Sequence, residues 1–121
     1  MNLKAFIHSL YTTNGASLSI RSGVLNPKFG FLASYKDYSQ VIDLSKFKDN
    51  EADIILAYII EHREQLMTSG NFLGAWLNEG KIYLDVSKQF SREVECREFA
   101  IENKQQAYFA AENKQEILTK Y

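Results

Sequence analysis

The feature that most constrains the fold is a pair of alternating segments, residues 72–78 and 81–87, separated only by Glu79-Gly80. Alternation of apolar and polar side chains is typical of β-strands that turn one face to a core. A glycine at the second position of a two-residue turn suits a tight hairpin. We therefore expect an antiparallel hairpin in the second half of the chain.

Further short strands are predicted on both sides of this hairpin. Before it, turn residues separate three candidate strands that form an antiparallel meander: residues 16–22, 28–35 and 40–44. After it, a polar turn at residues 112–114 separates two more: residues 107–111 and 115–119. Residues 1–10 are interpreted as a short strand or a lead-in.

Two helices are predicted from apolar periodicity and capping residues. Residues 50–67 carry apolar side chains at helical spacing, with Asn50 as the N-cap and acidic residues in the first turn. Ser91 is expected to cap the second helix, residues 92–104. The predicted fold class is α+β, an antiparallel β-sheet of about six strands with two α-helices, in one domain that spans residues 1–121.

Composition limits the classes of partner. The 121 residues carry a net charge of −1, which argues against a duplex-DNA binder but permits a small anionic ligand held by a few arginines. Cys96 is the only cysteine, so an intramolecular disulfide and a cysteine metal cluster are excluded, and a reducing compartment fits. No apolar run reaches the roughly 20 residues that span a bilayer, and residues 1–10 are too lightly apolar for a signal peptide. We expect a cytoplasmic protein without a membrane partner.

No motif for catalysis or metal binding is found. His8 and His62 have no carboxylate or cysteine neighbour at metal-ligand spacing. The sequence also lacks a P-loop, a dinucleotide-binding glycine fingerprint and a nucleophile elbow. The sequence therefore predicts that the protein is not an enzyme and has no catalytic residues, cofactor or metal. It favours a role in binding.

Trp76 and Tyr83 are the first candidates for a binding role. If their rings project together, they form an aromatic shelf beside Gly74 on which a nucleobase can stack, although core packing is the commoner explanation for such rings. Asp85 lies on an otherwise apolar strand, so its carboxylate needs a hydrogen-bond donor. The candidates are a backbone N–H, an arginine and the hydroxyl of a ribose. A structural role is favoured for Asp85, and a ligand role stays open.

Two arginines fall among apolar residues of the predicted helices. Arg63 lies on the apolar side of the first helix, where it either extends to water or binds an anion. Arg97 shares a helix face with Val94 and Ile101 and would lie near a subunit boundary if that face meets a neighbouring subunit. The alternative for Arg97 is an ion pair with Glu93 one turn earlier.

Three segments of the sequence resemble a known family. They are GNFLGAWLNEGKIYLDVS at residues 70–87, ENKQQAYF at residues 102–109 and, upstream, NGASLSIRSGVLNPKFGFLAS at residues 14–34. They are similar to the phage Thoeris anti-defence proteins of the first type. Members of that family bind the cyclic ADP-ribose isomers made by bacterial TIR-domain enzymes and hold this signal intact, so that the effector stays off. The resemblance implies a sponge in the host bacterial cytoplasm that forms homo-oligomers with ligand pockets between subunits; some members also bind cyclic oligonucleotides.

The resemblance also implies roles for individual residues. Two aromatic residues would supply stacking, two arginines would meet phosphates, and an asparagine would offer hydrogen bonds at the end of the second helix. These residues are Phe72, Trp76, Arg92, Arg97 and Asn103, and Asp85 joins them as a ligand-binding candidate. One position departs from the family pattern, because Ala110 stands where an acidic residue is expected. The contacts at that strand end are therefore in doubt.

Two other functions stay open. A phage inhibitor that docks onto a host defence protein would use the second helix, which has apolar residues on two sides, as its partner surface. A small hydrolase of nucleotide signals would need a metal or a nucleophile–base pair, and the sequence shows neither.

Overall fold

The computed structural model describes residues 2–119; residues 1, 120 and 121 lie outside the described part. Within it the chain forms five helices: α1 (Leu3–Thr13), α2 (Leu44–Asp49), α3 (Glu51–Glu61), α4 (Arg63–Leu66) and α5 (Glu93–Glu102). The seven strands of this part are β1 (Gly15–Leu18), β2 (Phe31–Ser34), β3 (Gln40–Asp43), β4 (Asn71–Asn78), β5 (Lys81–Phe90), β6 (Ala107–Ala110) and β7 (Gln115–Leu118). The predicted combination of antiparallel sheet and helices is confirmed, but the prediction of two helices is wrong.

All these strands join one antiparallel sheet in the order β1-β4-β5-β2-β6-β7, with β3 also paired to β5. Strand β5 is central, because β4 lies along one of its edges while β3 and β2 share the other. The predicted meander is wrong: β1, β2 and β3 do not pair with one another. Each pairs with a strand of the later hairpin, whose long strands offer two outer edges and a shared apolar face.

The hairpin turn forms as predicted. Glu79 and Gly80 have φ values of 50° and 75°, and Asn78 pairs with Lys81 across the turn. Positive φ at both central positions gives the turn a twist that matches the twist of the flanking strands. The turn therefore fixes the register between β4 and β5.

Helices cover one face of the sheet. Leu84 and Val86 of β5 point to this face and belong to the main core, which α1 and α3 complete. Farther along the sheet, Cys96 and Ala100 of α5 pack with Ala33 of β2 in a second core. One side of α5 therefore packs on the sheet. We call the opposite face, which these helices do not cover, the open face.

A chain of ring contacts joins the two cores. The ring centroid of Tyr35 lies 5.8 Å from that of Tyr38 and 5.1 Å from that of Phe99. The ring centroid of Tyr38 lies 5.4 Å from that of His62, and the ring centroid of Phe99 lies 5.1 Å from that of Phe90. Edge-to-face and tilted ring pairs of this kind add stabilisation beyond the area that they bury. Tyr35, just after β2, therefore links the α3 side of the molecule to the α5 side.

Helix α1 corrects the prediction of a strand or lead-in over residues 1–10. Asn2 caps this helix, because its side chain accepts a hydrogen bond from the Ala5 backbone N–H at 3.1 Å. Phe6 and Leu10, four residues apart, are fully buried in the main core. The apolar side chains thus follow the period of a helix and not that of a strand.

The long helix predicted over residues 50–67 is divided into α3 and α4, with only His62 between them. The break lies where the His62 ring joins the chain of ring contacts. Asn50 takes the N-cap position of α3 without a capping bond from its side chain. Helix α5 begins after Arg92, so the predicted cap at Ser91 is wrong. No helix within residues 2–119 is both long and apolar enough to cross a membrane.

Replacing Tyr35 by Phe keeps its ring and tests the hydrogen bond that joins Tyr35 to Asn71 of β4. The Tyr35 hydroxyl donates to Oδ1 of Asn71 at 3.0 Å, and Asn71 is only 3% exposed. Removing this donor leaves a buried amide oxygen without its partner, so we expect the free energy of unfolding to fall by about 1–3 kcal/mol.

Tyr83→Phe is the matched control, because the Tyr83 hydroxyl makes no hydrogen bond within residues 2–119. Its free energy of unfolding should change by less than about 0.5 kcal/mol. Urea denaturation followed by circular dichroism measures both variants, and equal losses would contradict the assigned role of Tyr35.

Candidate ligand-binding site

The register of the hairpin brings the predicted shelf residues together on the open face. Trp76 lies directly opposite Tyr83, and Gly74 lies directly opposite Asp85. Opposed residues of an antiparallel pair point to the same face, and Leu84 points the other way into the main core. The condition for an aromatic shelf, that the Trp76 and Tyr83 rings lie on the same face, is therefore met.

Trp76, Tyr83 and Asp85 line a shallow cavity of about 210 Å³, which we call the recess. Ser34, Lys36, Ser39 and Gln105 also belong to its polar lining. Trp76 is 43% exposed, so its ring is not a core side chain. The recess is smaller than the roughly 300–1,000 Å³ typical of ligand pockets. It suits one part of a ligand, such as a base or a sugar.

The gap that was predicted beside Gly74 is occupied by the Asp85 carboxylate. A Cβ atom at position 74 would collide with Oδ1 of Asp85, although the backbone of Gly74 is not in the left-handed region. Any side chain larger than that of glycine at this position would therefore displace the Asp85 carboxylate. The absence of a Cβ lets the carboxylate lie flat against β4 at the floor of the recess.

Asp85 is the acidic group in the lining of the recess. Burial raises the pKa of its carboxyl to about 6, and a hydrogen bond from the Ser34 side chain acts in the opposite direction. At neutral pH the group is mostly ionised. No cation within residues 2–119 lies at ion-pair distance from it. Asp85 thus offers acceptor oxygens to a ligand that donates hydrogen bonds.

Phe72 also lies on the open face, but its ring is not available for stacking. It is 5% exposed and packs with Leu32 and Ala111 in a small cluster of its own. Phe72 therefore supports this side of the sheet, and the structure does not support its predicted part in the site.

Asn103 has a structural role at the end of α5. Its amide donates to the Phe99 carbonyl at 2.9 Å, and its side-chain oxygen accepts from the Lys36 backbone N–H at 3.0 Å. These two bonds fasten the loop after β2 to α5. Asn103 thereby positions Lys36 at the wall of the recess without lining the recess itself.

The arginines lie away from the recess. Arg92 is exposed just before α5, and its guanidinium is 3.7 Å from the carboxylate of Glu95. Arg97 is exposed on α5, on the helix side of the sheet. Arg63 is exposed at the start of α4, in agreement with the interpretation that its side chain extends to water. The structure therefore brings together only Trp76 and Asp85 of the six predicted residues.

Ser34 is a site residue that sequence reasoning missed. It lies at the end of β2, opposite Ser87 of β5, and lines the recess together with Asp85. Only the non-local pairing of β2 with β5 could have revealed it. No group of three or more His, Cys, Asp or Glu residues that could hold a metal ion occurs in the described part of the chain.

Replacing Asp85 by Asn tests its burial. Because its folded-state pKa of about 6 lies above the ordinary 3.8, protonated Asp85 favours folding below about pH 4, and this stabilisation is lost as the pH rises through 6. We expect Asp85→Asn to be nearly neutral at pH 4 and to raise the free energy of unfolding at pH 7.5 by about 2–3 kcal/mol. Urea denaturation at both pH values measures the difference. An Asp85→Asn effect that does not change with pH would contradict the assignment.

Comparison with known proteins gives no relative that identifies the chain. No family model matches it, no curated protein matches it, and no solved structure matches it. The likeness of residues 70–109 to the Thoeris anti-defence proteins therefore stays a prediction, and the recess is the basis on which a function is argued.

Proposed function

We propose that this protein is a phage or prophage anti-defence protein that binds a cyclic ADP-ribose isomer without degrading it. By holding the signal in the host bacterial cytoplasm, it would block the TIR-based Thoeris defence. The observation that carries the proposal is the recess, where the Asp85 carboxyl lies beside two aromatic rings and no cation within residues 2–119 lies at ion-pair distance from it. The sequence resemblance supplies the class of ligand.

Trp76 and Tyr83 suit the base of such a ligand. A partly exposed indole directly opposite a tyrosine ring offers a flat apolar surface. Stacking of one base on an aromatic side chain contributes about 1–3 kcal/mol. The base would cover the exposed part of the indole, which is otherwise in contact with water.

Asp85 suits the ribose. A carboxylate accepts two hydroxyl donors at once, and such charge-assisted hydrogen bonds are stronger than those between neutral groups. Partial burial makes an incompletely paired carboxylate costly, so ligand hydroxyls that donate to Asp85 would relieve that cost. The same negative charge would keep phosphate groups away from the floor of the recess.

The phosphates would need cations from elsewhere. Lys36 is the cation that lines the recess. Arg92 and Arg97 lie on the helix side of the sheet, so in this proposal they meet a ligand held by a second copy of the chain. A homo-oligomer with shared sites is therefore part of the proposal.

Sequestration needs affinity and no chemistry. Nanomolar binding corresponds to roughly 12 kcal/mol, which one recess with a stacked base and two charge-assisted bonds does not reach alone. A site shared between two copies would add the phosphate contacts. The proposal therefore includes a homo-oligomer, because a second copy would supply the binding free energy that one recess lacks.

A second candidate is an inhibitor that docks onto a host defence protein. Val94 of α5 is 61% exposed and Ile101 is 36% exposed, on the side of the helix that does not face the sheet. Apolar side chains exposed in this way are typical of contact with a protein partner. Co-purification of a stoichiometric host protein would favour this candidate.

Calorimetric titration with cyclic ADP-ribose isomers tests the main proposal. We expect wild-type protein to bind one isomer and to release it intact on denaturation. Trp76→Ala should weaken binding at least about tenfold, which is about 1.4 kcal/mol, because the stacking surface is lost. Gly74→Ala should also weaken it, because the new Cβ displaces the Asp85 carboxylate.

Ile60→Ala is the control, since Ile60 is 74% exposed on α3, away from the recess. Its affinity should equal that of the wild type. Absence of binding at micromolar concentrations of the ligand would contradict the proposal. Recovery of a chemically converted ligand would instead support the hydrolase alternative.

A further inference from the structure

A second concavity lies apart from the recess. Residues 19–29 form one wall, residues 69–72 with Gln89 form the other, and the enclosed volume is about 740 Å³. We call it the loop groove. Its volume falls within the roughly 300–1,000 Å³ of ligand pockets, whereas the recess does not.

The loop groove carries positive charge. Arg21 and Lys28 belong to its lining, and no aspartate or glutamate does. Within residues 2–119 neither cation forms an ion pair. The whole chain has a net charge of −1, so a groove with two cations and no carboxylate differs from the average surface. Such a groove attracts anions.

An exposed ring stands in the same lining. Phe29 is 69% exposed and lines the loop groove together with the two cations. Its backbone is held in place, because Nε2 of Gln89 donates to the Phe29 carbonyl at 2.9 Å. Ala111 N–H donates to the carbonyl of the following Gly30 at 3.0 Å. The ring therefore projects from a fastened backbone.

The wall formed by residues 19–29 is also preformed. Asn26 accepts from the Ser17 backbone N–H at 2.9 Å and donates to the hydroxyl of Ser9 at 2.9 Å. The Ser19 N–H donates to the Val24 carbonyl at 2.8 Å. A wall that is ordered before binding lowers the entropy cost of binding.

We propose that the loop groove binds a small phosphorylated molecule with a planar ring, of the nucleoside diphosphate class. Arg21 and Lys28 provide one cation for each phosphate group, and Arg21 has the planar fork that matches phosphate oxygens. The planar ring of the ligand stacks on Phe29. This site is separate from the recess and does not rest on the function proposed for it.

Titration of the full chain with ADP, inorganic pyrophosphate and adenosine, followed by NMR chemical shifts, tests the proposal. ADP should bind more tightly than either of its parts, and its affinity should fall as salt is raised. The double variant Arg21→Gln with Lys28→Gln should weaken ADP binding at least about tenfold and abolish pyrophosphate binding. Phe29→Leu should weaken ADP and adenosine binding and leave pyrophosphate binding unchanged.

The matched control is the double variant Lys46→Gln with Arg63→Gln, which removes the same charge from exposed positions outside both concavities. It should bind ADP as the wild type does. All four substituted cations are exposed, so circular dichroism should report folded protein for both double variants.

Three results would overturn the proposal. They are no binding of ADP at millimolar concentration, equal ADP affinity in the wild type and the Arg21/Lys28 variant, and loss of ADP binding in Trp76→Ala with the groove variants unaffected. The last result would show that ADP binds in the recess, and it would leave the function proposed for the recess unaffected. Failure of cyclic ADP-ribose isomers to bind would, in contrast, leave the loop groove untouched.

Discussion

The register between β4 and β5 is the constraint on which the rest of the structure depends. In the observed register Leu84 and Val86 enter the main core and Asp85 lies on the open face. A slip by one residue would exchange the two faces and bury the carboxylate among apolar side chains, at a cost of several kcal/mol. The separate register between β2 and β5, in which Ser34 lies opposite Ser87, places Ser34 in the same recess as Asp85. The two-residue turn at Glu79-Gly80 holds the register between β4 and β5 with positive φ at both positions.

Features that depend on neighbouring residues could be predicted from the sequence. The β4–β5 hairpin, the turn between β6 and β7 and the covered side of α5 follow from alternation, turn chemistry and helical spacing. The spacing of Phe6 and Leu10, with Asn2 before them, also carried the signal for α1, which was interpreted as a strand. The partners of β1, β2 and β3 could not be predicted in this way. Several arrangements satisfy the same alternation, and the choice between them depends on edges that the chain supplies more than 30 residues later.

In the candidate site, too, features set by residues near in sequence could be predicted, and features set by contacts between distant segments could not. Alternation placed Trp76 and Asp85 on one face, because the period of a strand decides which side chains are neighbours. It could not show that the Asp85 carboxylate fills the space beside Gly74, since that contact depends on the geometry between strands. The loop groove was missed because its lining converges from three separate segments, none of which has a period. Two residues with ligand roles implied by the resemblance have structural roles instead. Phe72 is buried, and Asn103 holds a loop.

The pairing pattern also decides the order in which the protein can form during synthesis. Strands β1, β2 and β3 leave the ribosome first, yet their partners β4, β5 and β6 all follow residue 70. Helices α1 and α3 need only local bonds and can form early, whereas the early strands keep open edges until the hairpin has emerged. The β4–β5 hairpin is therefore the template on which the sheet is assembled. Unpaired strand edges recruit other chains, so the interval before residue 90 emerges is the stage at which the nascent protein most needs protection from aggregation.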